Sequence, residues 1–157
     1  MSMPNNAVIS PCGKFRYFLK RQWGNRNPPS PVTFVMLNPS TADASQDDAT
    51  IRKCVGFSRL WGFDALCVVN LYAYRATDPK ELSKAHYPVG EENDTYLRIA
   101  AGGKTVAAWG CHAQKTRASE VMKILRETGD VYCLGRTQMG FPKHPLYVKY
   151  DTPLEKM

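Results

Sequence analysis

Residues 32–43 read Val32-Thr33-Phe34-Val35-Met36-Leu37-Asn38-Pro39-Ser40-Thr41-Ala42-Asp43. A near-continuous apolar run that stops on Asn-Pro-Ser-Thr is what a strand buried on both faces looks like where it reaches the edge of a parallel sheet. Proline steers the residue before it away from helical geometry, so the chain leaves this strand at Asn38 in an extended state. In open α/β sheets ligands bind at the carboxyl ends of the strands. Two later segments, Val68-Val69-Asn70-Leu71-Tyr72 and Lys143-His144-Pro145-Leu146-Tyr147, also close an apolar stretch on a hydrogen-bonding or reactive residue. Three such ends in a chain of 157 residues point to one shared site.

Upstream, Phe15, Tyr17 and Leu19 alternate with Lys14, Arg16, Phe18 and Lys20 behind the turn Pro11-Cys12-Gly13. This period of two predicts a β-hairpin over 7–23. Downstream of the first strand, 39–47 is a polar loop, and Asp47 or Asp48 caps a helix. Ile51, Cys54, Val55, Ser58 and Trp61 form its buried stripe and Gly62 ends it. A second buried strand is predicted over 65–72, a short helix from Pro79, and a helix over 91–101. Strand 105–109, helix 115–128 and strand 131–134 follow. Strands alternating with helices predict an α/β domain with a central, mainly parallel four-stranded sheet covered by helices on both faces. The whole chain, 1–157, is expected to be one such domain, with its core at 32–148 and the hairpin added in front.

Hydrophobic residues make up 43% of the chain, enough for a packed core. No apolar run approaches the ~20 residues that span a bilayer, and the opening residues do not form a secretory signal. A cytoplasmic protein with no membrane partner is expected. The five cysteines include no C-x-x-C pair, which argues for reduced, mostly buried thiols and against a metal site. There is no Walker loop, no dinucleotide fingerprint and no G-x-S-x-G elbow, so NAD, ATP and serine-hydrolase chemistry are disfavoured and no cofactor is expected. The net charge of +7 favours polyanions, and a nucleic acid or nucleotide is the expected partner.

Each candidate residue has two readings. Asn38, set by Pro39, orients a water or ligand beside Ser40, or else it satisfies turn backbone. Asp43 is a general base or electrostatic partner, or a solvated loop carboxylate. Asn70 offers one acceptor and two donors, matching a pyrimidine edge, or is a core amide satisfied by backbone. Tyr72 stacks on a base or packs in the core. Arg75 and Lys143 meet phosphates. His144, between Lys143 and Pro145, donates to a developing oxyanion or is a surface histidine.

Taken together, Met36-Leu37-Asn38-Pro39-Ser40, Val69-Asn70-Leu71-Tyr72-Ala73-Tyr74-Arg75, Val106-Ala107-Ala108-Trp109-Gly110 and His144-Pro145-Leu146 resemble, in order and spacing, the motifs of the uracil-DNA glycosylase superfamily. That resemblance spans roughly 32–148 and implies a three-layer α/β/α sandwich. It also implies an N-glycosidase that cleaves the bond between a pyrimidine or modified base and its deoxyribose. Asn38, with Asp43, would place the water, His144 would serve the leaving base, and Asn70 would read it with Tyr72 stacking. A binding module that recognises a modified base without catalysis is the alternative. Leu146-Tyr147 stands where glycosylases usually carry a small residue or Ser. At closer range Ser10-Pro11-Cys12-Gly13-Lys14-Phe15-Arg16-Tyr17, Leu37 to Asp43, and Pro142 to Tyr147 resemble a bacterial and phage family known as domain of unknown function 1643.

Overall fold

A computed structural model describes residues 5–157. The predicted hairpin is present as β1 (Asn6–Ile9) and β2 (Arg16–Gln22), paired antiparallel. The central run forms β3 (Pro31–Met36), and after the polar loop α1 spans Ala49–Leu60. Asp48 is its cap: the carboxylate accepts from the Ile51 N–H at 2.9 Å, relieving one of the four N-terminal donors that a helix leaves without a partner. The buried face of α1 is Ile51, Cys54, Phe57 and Ser58. Phe57 joins that stripe, its ring 5.3 Å from Trp61 between centroids, and the predicted Val55 and Trp61 pack, partly buried, against the same cluster.

The second apolar run forms β4 (Ala65–Asn70). A 3₁₀ helix (Pro79–Lys84) leads to α2 (Asn93–Ala100), β5 (Lys104–Ala107), α3 (Lys115–Arg126) and β6 (Val131–Cys133). A second 3₁₀ turn (Pro145–Tyr147) and a two-residue strand, β7 (Glu155–Lys156), complete the chain.

All strands join one sheet in the order β1-β2-β4-β3-β5-β6-β7. The sheet is therefore mixed and seven-stranded, not the four-stranded sheet expected from sequence. The hairpin is no appendage: β2 continues the sheet antiparallel to β4, with Leu19 opposite Val68 and Gln22 opposite Ala65. The neighbours β4-β3, β3-β5 and β5-β6 are parallel. Alternate residues of each strand face opposite sides. Phe34, Met36, Val68 and Val106 pack with Ile51, Cys54 and Phe57 of α1. Val35, Leu37, Val69 and Ala107 pack with Leu97 of α2 and with Val121 and Leu125 of α3. The carboxyl ends of β3, β4, β5 and β6 lie on one edge, and everything that follows concerns that edge. No helix among the described residues is long and apolar enough to cross a membrane.

Candidate functional site

A cleft of about 960 Å³ opens at this edge. Asn38, Asn70 and His144, separated by more than a hundred residues from first to last, all line it. Pro39, Ser40 and Lys143 line it as well. The convergence that the sequence implied is therefore met.

Asn38 follows β3. Its Nδ2 donates to the carbonyls of Pro39 (3.1 Å) and Ala76 (2.7 Å), tying the loops after β3 and β4 together. Its Oδ1 accepts no hydrogen bond among the described residues and remains available to a ligand or water. The reading as an amide that satisfies turn backbone is met at Nδ2.

Asn70 is the last residue of β4 and only 2% exposed, yet its side chain makes no hydrogen bond among the described residues, and its Oδ1 is buried without a partner. Buried amides are nearly always satisfied, so an empty one facing a cleft marks a place for a ligand. The backbone beneath it is held firmly. Asn93 donates to the carbonyls of Asn70 (2.9 Å) and Leu71 (3.1 Å), and the Arg117 guanidinium donates to that of Leu71 (2.9 Å).

His144 is set by three backbone contacts. Gly110, with a φ of +75° that favours glycine, donates its N–H to the Pro142 carbonyl (2.9 Å). Lys143 donates to Gly135 (3.0 Å), and Val148 donates to Pro145 (3.1 Å), closing the 3₁₀ turn. The imidazole Nδ1 accepts from the Leu146 N–H at 3.3 Å, which puts the proton of the neutral ring on Nε2. Burial holds the pKa of His144 below its ordinary value, against an opposing pull from Asp48. The cleft thus has a neutral imidazole with an N–H donor.

Three predicted residues lie elsewhere. Asp43 does not line the cleft: its Oδ1 accepts from the N–H groups of Ser45 (2.9 Å) and Gln46 (2.8 Å), a local turn on the outside of the loop. Those backbone donors pull its pKa below the usual carboxylate value. Tyr72 packs in the core beneath α2 and α3, and its hydroxyl accepts from the Gln114 N–H at 3.2 Å, so it cannot stack on a ligand here. Arg75 does not line the cleft either: it donates to the carbonyls of Ser40 (3.1 Å), Gly13 (3.3 Å) and Thr41 (3.4 Å).

Asp48 and Arg16 line the cleft but were not predicted as site residues. Asp48 is the only carboxylate lining it among the described residues. Its reading as a helix cap was correct but incomplete, since the cap uses one oxygen. Arg16 also lines the cleft, 2% exposed, with Nη1 donating to the Ala42 carbonyl (3.0 Å) and Nε buried without a partner. The alternation in the hairpin placed it on a polar face, and nothing local signalled that the 39–47 loop would cover it. Among the described residues no group of three or more His, Cys, Asp or Glu side chains is placed to hold a metal ion.

The profile of the family described as "Protein of unknown function (DUF1643)" matches residues 16–146. The chain belongs to that family. No curated protein and no solved structure matches it. The DUF1643 match runs from Arg16 to Leu146 and so takes in both flanks of the cleft.

Proposed function

We propose that this chain is an N-glycosidase with a uracil-DNA glycosylase-like, three-layer fold, hydrolysing the bond between a pyrimidine or modified base and deoxyribose. The observation that carries this reading is the meeting of an unsatisfied buried amide, Asn70, and a neutral imidazole donor, His144, across one cleft. In the reaction the C–N bond breaks with its electron pair going to the base, and the anomeric carbon gains positive character. Water adds there, leaving a hydroxyl on the sugar, and its released proton balances the base. His144 Nε2–H stabilises the negative oxygen of the departing base. Asn38 Oδ1 aims the water. Asp48, the carboxylate in the cleft, takes the electrostatic role expected of Asp43. Lys143 and Lys149, exposed where they line the cleft, meet phosphates of a nucleic acid or nucleotide. In duplex DNA the base must first be flipped out.

The test is release of free base from labelled oligonucleotides and a nucleotide panel. His144→Ala is expected to lower turnover by about 10²–10³-fold, the range for removing one oxyanion donor. His144→Ala combined with Asn38→Ala should bring release to background. Release that survives both changes, or an absence of release across the panel, would overturn the enzyme reading; tight binding without turnover would identify a recognition module instead.

A further inference from the structure

A neutral base held between Asn70 and His144 leaves Arg16 without a role. Its guanidinium is buried in the cleft wall, bonded once to the Ala42 carbonyl, with Nε unpartnered and no carboxylate within the 4.0 Å of an ion pair among the described residues. Burial lowers its pKa to about 10, so it remains charged at neutral pH. The charge of Asp48 favours its charged form from beyond ion-pair distance, but a buried cation without a paired, hydrogen-bonded counter-ion is costly. Elsewhere the fold does not leave arginines in this state. Arg21 pairs with Asp47 at 2.7 Å, and Arg117 pairs with Asp94 at 2.6 Å and Glu120 at 3.2 Å.

The surroundings suit an anion. The first turn of α1 lines the cleft through Ala49, Thr50 and Ile51, and the N–H groups of a helix start carry partial positive charge. Asp48 is the opposing group. One of its oxygens caps Ile51, and it forms no ion pair with Arg16. Position then decides which part of a ligand the anion belongs to. Lys143 and Lys149 are exposed, so backbone phosphates meet them at the rim. Arg16 is buried, on β2, the strand next to the β4 that carries Asn70, whereas His144 sits beside Gly110, just past the end of β5 and so on the far side of β3. A ligand entering base first brings only its base to Arg16.

We propose that Arg16 receives a carboxylate carried by the base itself, so that the cleft selects an acidic heterocycle over a neutral one. The acid would lie towards β2 and the glycosidic bond towards Asn38 and His144. This rests on the base-binding reading of Asn70 and His144.

The experiment is calorimetric titration of the full chain with uracil, uracil-5-carboxylate, uracil-6-carboxylate and uridine 5′-monophosphate. One of the carboxylated bases is expected to bind at least about tenfold more tightly than uracil. Arg16→Gln should erase that advantage while moving uracil affinity by less than about threefold. Arg16→Lys should restore part of it, which also guards against a folding defect in the first variant. Asp48→Asn, which keeps a capping side chain, should strengthen carboxylate binding. Equal affinity for uracil and its carboxylates would overturn the proposal. So would a dependence on Arg16 seen only with the monophosphate. If uracil binds through Asn70 (lost in Asn70→Ala) while no carboxylate gains from Arg16, this inference falls and the base-binding reading stands. If neither uracil nor its carboxylates bind, both fall.

Discussion

On the side of the sheet covered by α2 and α3, Arg117 is 5% exposed and fully engaged, with its Nε on the Leu71 carbonyl and its two amino groups on Asp94 and Glu120. At the cleft, Arg16 is 2% exposed and engages one carbonyl. The same side chain, equally hidden, therefore does different things on the two sides. One arginine fastens the end of β4 from below, and the other is held ready beside it. The contrast extends to the amides. Asn93 spends both its donors on the carbonyls of Asn70 and Leu71, with only its Oδ1 left unpartnered, while the side chain of Asn70 makes no hydrogen bond among the described residues. Of the buried side-chain atoms without a hydrogen-bond partner among the described residues, Arg16 Nε and Asn70 Oδ1 belong to residues that line the cleft, while Gln22 Oε1, Asp64 Oδ2 and Asn93 Oδ1 lie away from it.

Stability measurements on the two arginines test this contrast most strongly. Arg117→Met is expected to lose about 2 kcal/mol, because the Leu71 carbonyl loses a charge-assisted bond while the two partly exposed carboxylates are recovered by water. For a chain of this size that is a fall in Tm of about 4–8 °C. Arg16→Met should lie within about 1 kcal/mol of wild type, since removing an unpaired buried charge offsets the lost bond to Ala42. Equal losses in thermal melts would mean that Arg16 is as structural as Arg117.

Asn70→Val comes next. A buried amide without partners is a net cost, so an apolar replacement should raise stability by about 1 kcal/mol while abolishing base binding. A drop in Tm would show that Asn70 has a structural partner after all.

The smallest effect is in pH. Unfolded His144 titrates near 6.5, its ordinary value, and burial places the folded value lower. The stability gained by keeping the ring neutral is therefore complete above about pH 6.5 and lost as pH falls through the folded value. Turnover should show an acid limb below about pH 6.5 for the same reason. His144→Gln should flatten the corresponding slope of Tm against pH; a limb above 6.5 would contradict a buried neutral imidazole.

Much of this molecule was readable in one dimension because strands buried on both faces cannot hide: 32–37 is apolar but for Thr33 and 65–69 is apolar throughout, and a polar residue at the end of such a run has to emerge at the sheet edge. That is why Asn38 and Asn70 stand out in the sequence, whereas His144 follows a loop and stands out by its place between Lys143 and Pro145. Asp43 and Asp48 both belong to the polar stretch ahead of α1, Asp48 legible as its cap, and only the path of the loop decides which of them reaches the cleft. Arg16 was missed because period two marks it as the outer face of a hairpin, and the pairing of β2 with β4 is a contact between segments some fifty residues apart. The strand Glu155–Lys156 has no apolar signal, since it is exposed and held by pairing with β6.

The loop from Pro39 to Gln46 has no regular secondary structure, yet among the described residues all its carbonyls but that of Ser45 are occupied. Ala76 N–H and Asn38 take Pro39, Arg75 takes Ser40 and Thr41, Arg16 takes Ala42, and Arg21 takes Asp43, Ala44 and Gln46. The guanidinium forks of Arg21 and Arg75, each latched onto several peptide groups, make this stretch a fixed jaw, and lysine could not stand in for them. Any closing movement on ligand entry then belongs to the opposite jaw, Pro142 to Tyr150, which grips its neighbours through far fewer latches.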